Sequence, residues 1–314
     1  MDALDATVCL LSFKRPNYLS EAIDSVLAQT RSPAEFIIFD DGSGKEVEEV
    51  AGRYRDRGVI FEGAGSTKGS DWNFARALNR IATKHVLFMH DDDRLCPDFL
   101  EKQVSFLNDH PDILAVFCNC HLIDSSGRRI GILKPYAMNK IFNSGADVAM
   151  VYAGGSCLPY PTGVYRTEYV RQIERRTEFK KVTDVVFMCD LADRGPIAYR
   201  KAPLYEYRIH DMQDSSVIPQ EILSMLDEFL LARIGESPRL STKKRRYAAR
   251  RYTREHIRGL IENYRANRPI HYTIGGIYDI DFKRFSLMEA IEYIALLLMQ
   301  KRGMARSLYG KETR

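Results

Sequence analysis

The apolar positions of this chain alternate between short unbroken runs and longer stretches with helical spacing. Val8-Cys9-Leu10-Leu11-Ser12-Phe13, Phe36-Ile37-Ile38-Phe39, Val59-Ile60-Phe61, Val86-Leu87-Phe88-Met89 and the segment Ile113 to Cys118 read as buried strands. After the first run, Leu19, Ala22, Ile23, Val26 and Leu27 recur with a 3.6 period and predict a helix that begins behind Pro16-Asn17. Further helices are expected near Lys45 to Arg57, from about Trp72 to Ala82, and from Pro97-Asp98 to about Asn108. Strands alternating with helices predict a parallel α/β sheet with right-handed crossovers. In such sheets ligands bind beyond the carboxyl ends of the strands.

Three polar segments occupy that edge: Ser12 to Asn17, Asp40-Asp41-Gly42-Ser43, and His90-Asp91-Asp92-Asp93. The last follows a buried strand directly. Three carboxylates there repel one another and resist desolvation, so they call for a compensating cation. Hard oxygen ligands suit Mg²⁺ or Mn²⁺. An acidic turn exposed to water is the plain alternative, and Asp40-Asp41-Gly42-Ser43 is also ordinary turn chemistry.

Beyond the fifth strand the signal weakens. Residues 127–162 are rich in Gly, Pro, Ser and Tyr and read as loops and short strands covering one end of the sheet. Thr183 to Asp193 predicts a short helix stopped by Gly195, and from about Gln220 the pattern is mostly helical. The chain of 314 residues has 45% hydrophobic and 28% charged residues, ordinary for a globular protein. Six cysteines without a CxxC pair read as free buried thiols. No apolar run reaches membrane-spanning length and the acidic start does not resemble a signal peptide, so the expected location is cytoplasmic, with a peripheral site on the inner face of the membrane as the variant.

Charge separates the ends. The formal net charge is +4, but residues 239–268 carry eleven Lys/Arg against Glu255 and Glu262, a local +9. Lys243-Lys244-Arg245-Arg246, Arg250-Arg251 and the apolar series Leu287, Ile291, Ile294, Leu298 fit two expectations. One is a helical appendage packing on the catalytic domain or on a second subunit as a homo-oligomer; the other is an anchor on an anionic membrane surface. Nucleic acid is not expected as a partner, because aromatic interleaving is sparse.

Several motifs, in order over residues 6–216, resemble the inverting nucleotide-sugar glycosyltransferases of family 2. They are Ser12 to Leu19 with Ser25 to Thr30, Asp40 to Ser43, Trp72-Asn73 with Arg76-Ala77-Leu78, His90 to Leu95 with Pro97-Asp98, Thr183-Asp184 through Gly195, and Tyr207-Arg208-Ile209-His210 with Gln213 and Ser215. The resemblance implies a GT-A fold: a Rossmann-like, mixed but mainly parallel sheet flanked by helices. It divides the chain into a glycosyltransferase domain at 1–220 and a basic helical region at 221–314. Within the first, about 1–125 would bind the nucleotide sugar and about 126–220 would supply the acceptor side and the base.

The same resemblance assigns roles. Donor contacts fall to Ser12, Arg15, Asp40, Asp41, Asn73, Arg76, Asp91 and Asp92, with Asp41 on the nucleobase. Mn²⁺ or Mg²⁺ falls to Asp92, Asp93 and His210, with Asp92 central and His90 a spacer. Asp184 is the general base of a single displacement, although a helix start is expected to lower its pKa. Trp72, the one tryptophan, is expected in packing or as a helix-start anchor. A nucleotide-diphosphate sugar, UDP-linked by preference, is the implied donor, and a glycan or lipid-linked hydroxyl of surface-polysaccharide type the acceptor. Two positions depart from the pattern: Thr183 replaces a Glu and Asp190 replaces an Arg. They keep open a nucleotide- or glycan-binding module without turnover. A nucleotidyltransferase is the enzymatic alternative, but Leu11-Ser12-Phe13-Lys14-Arg15-Pro16 lacks the glycine-rich basic loop it would need.

Overall fold

The computed structural model describes residues 2–154, 156–210, 218–238 and 240–241. The strands are β1 (Leu4–Ser12), β2 (Pro33–Asp40), β3 (Val59–Gly63), β4 (His85–His90), β5 (Arg94–Leu95), β6 (Ala115–Ile123), β7 (Arg129–Leu133), β8 (Lys140–Phe142), β9 (Val164–Arg166) and β10 (Ile197–Arg208). The helices are α1 (Pro16–Leu27), α2 (Lys45–Gly52), α3 (Ser70–Arg80), α4 (Phe99–Asp109), α5 (Gly145–Ala153), α6 (Thr167–Val170), α7 (Thr183–Arg194) and α8 (Gln220–Glu236). The chain forms two units: Met1–Val148 with Cys157–Ile218, and Ala149–Ser156 with the chain from Pro219 onward.

The first unit is built on one sheet of strand order β3-β2-β1-β4-β9-β6-β10-β5, with β7 on β6 and β8 on β10. The long strands pair in parallel: β1 with β2 and β4, β2 with β3, and β6 with β10. The antiparallel partners β5, β7, β8 and β9 are short and were not legible as strands. The apolar runs are continuous because helices cover both faces of a parallel sheet. Val8, Cys9, Leu10, Ile37, Ile38, Phe39 and Met89 are fully buried.

The α1 stripe is as predicted: Leu19, Ala22, Ile23 and Val26 lie against the sheet. Each large side chain so buried contributes roughly 1.5–3 kcal/mol, which anchors the loop before α1. The α7 helix also forms as expected, and Gly195 ends it. That glycine has an extended backbone, not a left-handed one; its lack of a Cβ leaves room for the Leu114 side chain. The span 127–162 contains more than loops, since Gly145–Ala153 is a helix.

In the second unit, α8 carries the expected helical pattern and buries Ile222, Leu226, Leu230 and Ile234 along one stripe. The basic segment from Lys243 and the apolar series from Leu287 lie outside the described residues, as do Gln213 and Ser215. Among the described residues, no helix is long and apolar enough to cross a membrane. All six cysteines are free, and all but Cys157 are buried.

Candidate active site

Register brings the three polar segments together. Ser12 lies opposite Asp40, Leu11 opposite His90, and Asp40 opposite Gly63. The ends of β1, β2 and β4 are therefore level, and the residues that follow them share one edge.

Asp40 closes an Asx turn: its carboxylate accepts the amides of Gly42 at 3.0 Å and Ser43 at 2.9 Å, and the Ser43 hydroxyl. Asp41 reaches the other way. Its two oxygens accept the amides of Lys68 and Gly69, each at 2.8 Å, fastening the loop that precedes α3. A carboxylate offers about four acceptor positions, so Asp41 retains capacity for a base N–H. Asn73 donates to the Phe39 carbonyl at 2.8 Å. Arg76 donates to the carbonyls of Asp40 and Glu62 at 3.1 Å and to Asn73 Oδ1 at 2.7 Å. Asn73 and Arg76 thus hold α3 against the ends of β2 and β3. Trp72 does not pack in the core: it is 42% exposed and lies 4.9 Å from the Arg76 guanidinium.

The acidic cluster after β4 is buried. Lys14 adopts a left-handed φ of 56° and turns the chain back over the sheet edge. The Phe13 amide then donates to Asp91 Oδ2 at 2.8 Å, and Arg15 Nη1 bridges Asp91 Oδ1 at 2.9 Å and Asp92 Oδ2 at 2.7 Å. Burial pushes the Asp91 carboxyl up to about 7, against the opposing charge of Arg15, and Asp92 pushes in the same direction as burial. Asp93 accepts the Tyr205 hydroxyl and the Arg208 amide, each at 2.9 Å. Its carboxyl is raised well above the usual range by burial and by the neighbouring Asp92.

His210 Nε2 is 2.9 Å from Asp92 Oδ2 and its ring lies 5.1 Å from that of Tyr18. His90, expected as a spacer, lies beside the cluster. Its ring nitrogen and carboxylate oxygens of Asp92 and Asp93 all lie within 4.8 Å of one another. Two hard carboxylates and an imidazole at that separation fit one divalent cation of the Mn²⁺ or Mg²⁺ type. The burial-raised carboxyls beside them are groups whose ionisation such a cation would stabilise.

Asp184 stands in the first turn of α7, half-buried. The expectation of a lowered pKa is overturned. Burial raises it to about 6, more than the amides of Val185 and Asp184 and the Arg175 charge lower it. Desolvation outweighs the helix terminus because only one turn of amides faces the carboxylate. Thr183 caps the preceding turn, its hydroxyl donating to the Lys180 carbonyl at 2.5 Å. Asp190 pairs with Arg176 at 3.2 Å, and Asp193 accepts the Gly145 amide at 2.6 Å. Both therefore serve packing around α7.

Tyr205 and Arg208 were not singled out in the sequence as ligands of the acidic cluster. The signal was faint: Arg208 falls inside the Tyr-Arg-x-His segment, but only the pairing of β10 with β6 and β5 brings it under Asp92 and Asp93.

A sequence profile described as Glycosyl transferase family 2 matches residues 7–190, more than half of the chain. An uncharacterized glycosyltransferase of Rickettsia typhi is 26% identical over 226 residues, covering 68% of this chain and 65% of that protein. Two other relatives are matched over 37% and 48% of their lengths, so the matched stretch spans less than two thirds of all three. Among solved structures, S. aureus TarS 1–349 in complex with UDP-GlcNAc superposes with a TM-score of 0.57 at 15% identity, over 97% of this chain and 81% of that one. The mannosyltransferase PcManGT from Pyrobaculum calidifontis, in complex with GDP-Man and Mn²⁺, gives 0.57 at 14% identity, over 99% and 89%. The mixed sheet and its flanking helices are the GT-A fold these neighbours share.

Proposed function

The chain belongs to glycosyl transferase family 2, and from that membership and the site geometry we propose an inverting glycosyltransferase. It moves a sugar from a nucleotide-diphosphate donor to a hydroxyl of a glycan or lipid-linked acceptor. The observation that carries this reading is the convergence of level strand ends on a buried cluster of three carboxylates, a histidine and an arginine. A nucleotide diphosphate is the ligand class that needs a divalent cation, a guanidinium and a base-binding edge together. Neighbours of this fold bind UDP-GlcNAc and GDP-Man, which supports a nucleotide-sugar donor; UDP-linked sugars remain the preferred class.

In this reading Asp41 receives the nucleobase, with Asp40 shaping the turn beside it. Ser12, Arg15 and Asp91 line the ribose and phosphate side, and Asn73 and Arg76 hold the donor edge in place. Asp92 and Asp93, with His90 and His210 around them, would hold the divalent ion. When bound, that ion neutralises charge developing on the departing diphosphate. Arg15 adds a second positive charge to the same side. Asp184 accepts the proton of the attacking hydroxyl as the bond to the anomeric carbon forms on the face opposite the leaving group. A half-buried carboxyl with a pKa near 6 is ionised at neutral pH and more basic than a solvated one.

A donor screen tests the reading. Hydrolysis of UDP-, GDP-, dTDP- and CMP-sugars is followed with Mn²⁺, with Mg²⁺ and with chelator. One nucleotide diphosphate sugar should turn over only with metal, and Asp92→Asn and Asp184→Asn should each abolish transfer. Binding without turnover of any donor, in the presence of candidate acceptors, would overturn it in favour of a binding module.

A further inference from the structure

Asp93 is gripped at both oxygens. Oδ1 accepts the Arg208 amide and Oδ2 the Tyr205 hydroxyl, each at 2.9 Å. Both donors come from β10, and β10 is laddered to the residues that follow Asp93: Glu206 lies opposite Arg94 and Tyr205 opposite Leu95. The Cys96 amide extends that contact to the Leu204 carbonyl at 3.0 Å. On its other side β10 pairs in parallel with β6, Tyr205 against Cys120 and Arg208 against Ile123. The Tyr205 ring is fully buried and meets Phe99 edge-on at 5.9 Å between centroids. Neither the hydroxyl nor the amide is free to follow a carboxylate that turns.

Asp92 is held differently. Arg15 Nη1 at 2.7 Å and His210 Nε2 at 2.9 Å both meet its Oδ2. A carboxylate held at one oxygen can pivot about it, whereas one held at both keeps its plane. Of the two carboxylates in the cation-sized cluster with His90, Asp93 is therefore the rigid one. Rigidity has a chemical consequence. Mg²⁺ demands near-ideal octahedral geometry, while the larger Ca²⁺ takes more oxygens in a looser shell, often both oxygens of one carboxylate. Mn²⁺ shares the octahedral preference. A ligand of fixed plane suits the strict ion and handicaps the loose one.

We infer that Tyr205 is a positioning residue that sets the ion selectivity of the site: its hydroxyl holds the Asp93 carboxylate in one orientation and so favours Mg²⁺ and Mn²⁺ over Ca²⁺. The inference rests on the proposed ion at Asp92 and Asp93, and not on the transfer reaction. Without the hydroxyl, Oδ1 stays on the Arg208 amide while Oδ2 is released, and Asp93 can turn both oxygens toward a larger ion. Phenylalanine at this position keeps the ring against Phe99 and removes a single oxygen atom.

The test uses the full chain with Tyr205→Phe and, as a packing control, Phe99→Leu. Mn²⁺ is titrated by EPR of the free ion, alone and with UDP present, and Ca²⁺ by displacement of bound Mn²⁺ from the same sample. Tyr205→Phe should weaken Mn²⁺ binding about tenfold or more, as losing the partner of a metal ligand does. Ca²⁺ should bind no more weakly than to the wild type, so the preference for Mn²⁺ over Ca²⁺ falls about tenfold. Phe99→Leu should lower Tm and leave the preference where it is. Both ions meet the same folded fraction, so partial unfolding cancels from the ratio. An unchanged preference in Tyr205→Phe, with Mn²⁺ bound by the wild type, overturns the inference and leaves the metal site standing. A preference that falls as far in Phe99→Leu assigns the effect to packing and overturns it too. A wild type that binds no Mn²⁺ under either condition overturns the site itself, and the inference with it.

Discussion

Arg208 Nε donates to the backbone carbonyl of Asp92 at 2.7 Å, from a side chain that is fully buried. The rest of the guanidinium is spent locally, on Glu21 at 2.7 Å and on the carbonyls of Asp124 and Ser125 at 3.2 and 3.3 Å, over the Tyr18 ring. One residue at the end of β10 therefore fixes the peptide that aims Asp92 and also ties in α1 and the β6–β7 turn. Arg208→Met takes the guanidinium from the Asp92 and Ser125 carbonyls and leaves Glu21 to Arg94 and the Asp124 carbonyl to the Gly127 amide. It should cost about 3 kcal/mol, a fall in Tm of about 6–12 °C for a domain of this size. Thermal melts read the loss. Mn²⁺ affinity by EPR should weaken even where the variant is folded. A variant that melts with the wild type would remove Arg208 from this role.

Asp184 sets a pH dependence whose sign follows from its raised pKa. In the proposed role Asp184 works as the base only when ionised, so transfer should fall as pH drops through about 6. Asp184→Asn should lower kcat by about 10² to 10⁴ and remove that limb. Stability runs the other way. The fold binds the Asp184 proton more tightly than the unfolded chain does. This contribution is complete below the ordinary carboxyl value of 3.8 and is lost as pH rises through about 6. Asp184→Asn should therefore be more stable than wild type at pH 8, by on the order of 1–3 kcal/mol, and the difference should shrink toward pH 4. Urea titrations at the two pH values measure it. A variant less stable at pH 8 than at pH 4, relative to wild type, would contradict the burial argument.

The parts of this fold visible in the sequence were those specified locally. β1, β2 and β4 announce themselves because a strand covered on both faces must be apolar throughout, and their polar ends then mark the site edge. The helix α7 shows its period, and Asp184 stands where that period begins. What stayed hidden depends on partners far along the chain. β9 is three residues of Val-Tyr-Arg slipped antiparallel between β4 and β6, and nothing local distinguishes it from a loop. The bridge from Arg15 to Asp91 and Asp92 requires a left-handed Lys14, a conformation that lysine does not advertise. The closeness of the His90 ring to Asp92 and Asp93 stayed hidden because alternation along β4 does not reveal how the chain turns after it. The Asp184 pKa was misread because a helix terminus is visible in sequence and desolvation is not.

A divalent cation held by Asp92 would share that carboxylate with Arg15. Arg15 Nη1 lies 2.7 Å from Asp92 Oδ2, the carboxylate also placed with His90 and Asp93 in the cation-sized cluster. Arg15→Met should make Mn²⁺ bind about tenfold or more tightly, the equivalent of one lost competing ion pair of about 1.4 kcal/mol. It should at the same time raise the donor KM, because the phosphate side loses a guanidinium. Asp92→Asn should abolish Mn²⁺ binding with Arg15 present or absent. EPR of free Mn²⁺ gives the affinities directly. Weaker metal binding in Arg15→Met would mean that the arginine assembles the site instead of competing for it.

Two glycines in the β2–α2 turn separate backbone strain from close approach. Gly42 has a φ of 75° and Gly44 a φ of 97°, so both occupy the left-handed half of conformational space. A Cβ on Gly44 would meet nothing within 4 Å, whereas one on Gly42 would overlap the backbone of Ser66 and Thr67. Those residues immediately precede the Lys68 and Gly69 amides that Asp41 holds. Gly44→Ala should therefore cost only the conformational term, about 1 kcal/mol. Gly42→Ala pays that and must also push the 64–69 loop away from β2, so at least about 2 kcal/mol is expected. The displaced loop would free Asp41, and nucleotide affinity should fall well beyond what the stability change explains. Denaturation with and without nucleotide measures both effects. Equal losses in the two variants would mean that the loop yields without cost, and that Asp41 does not depend on it.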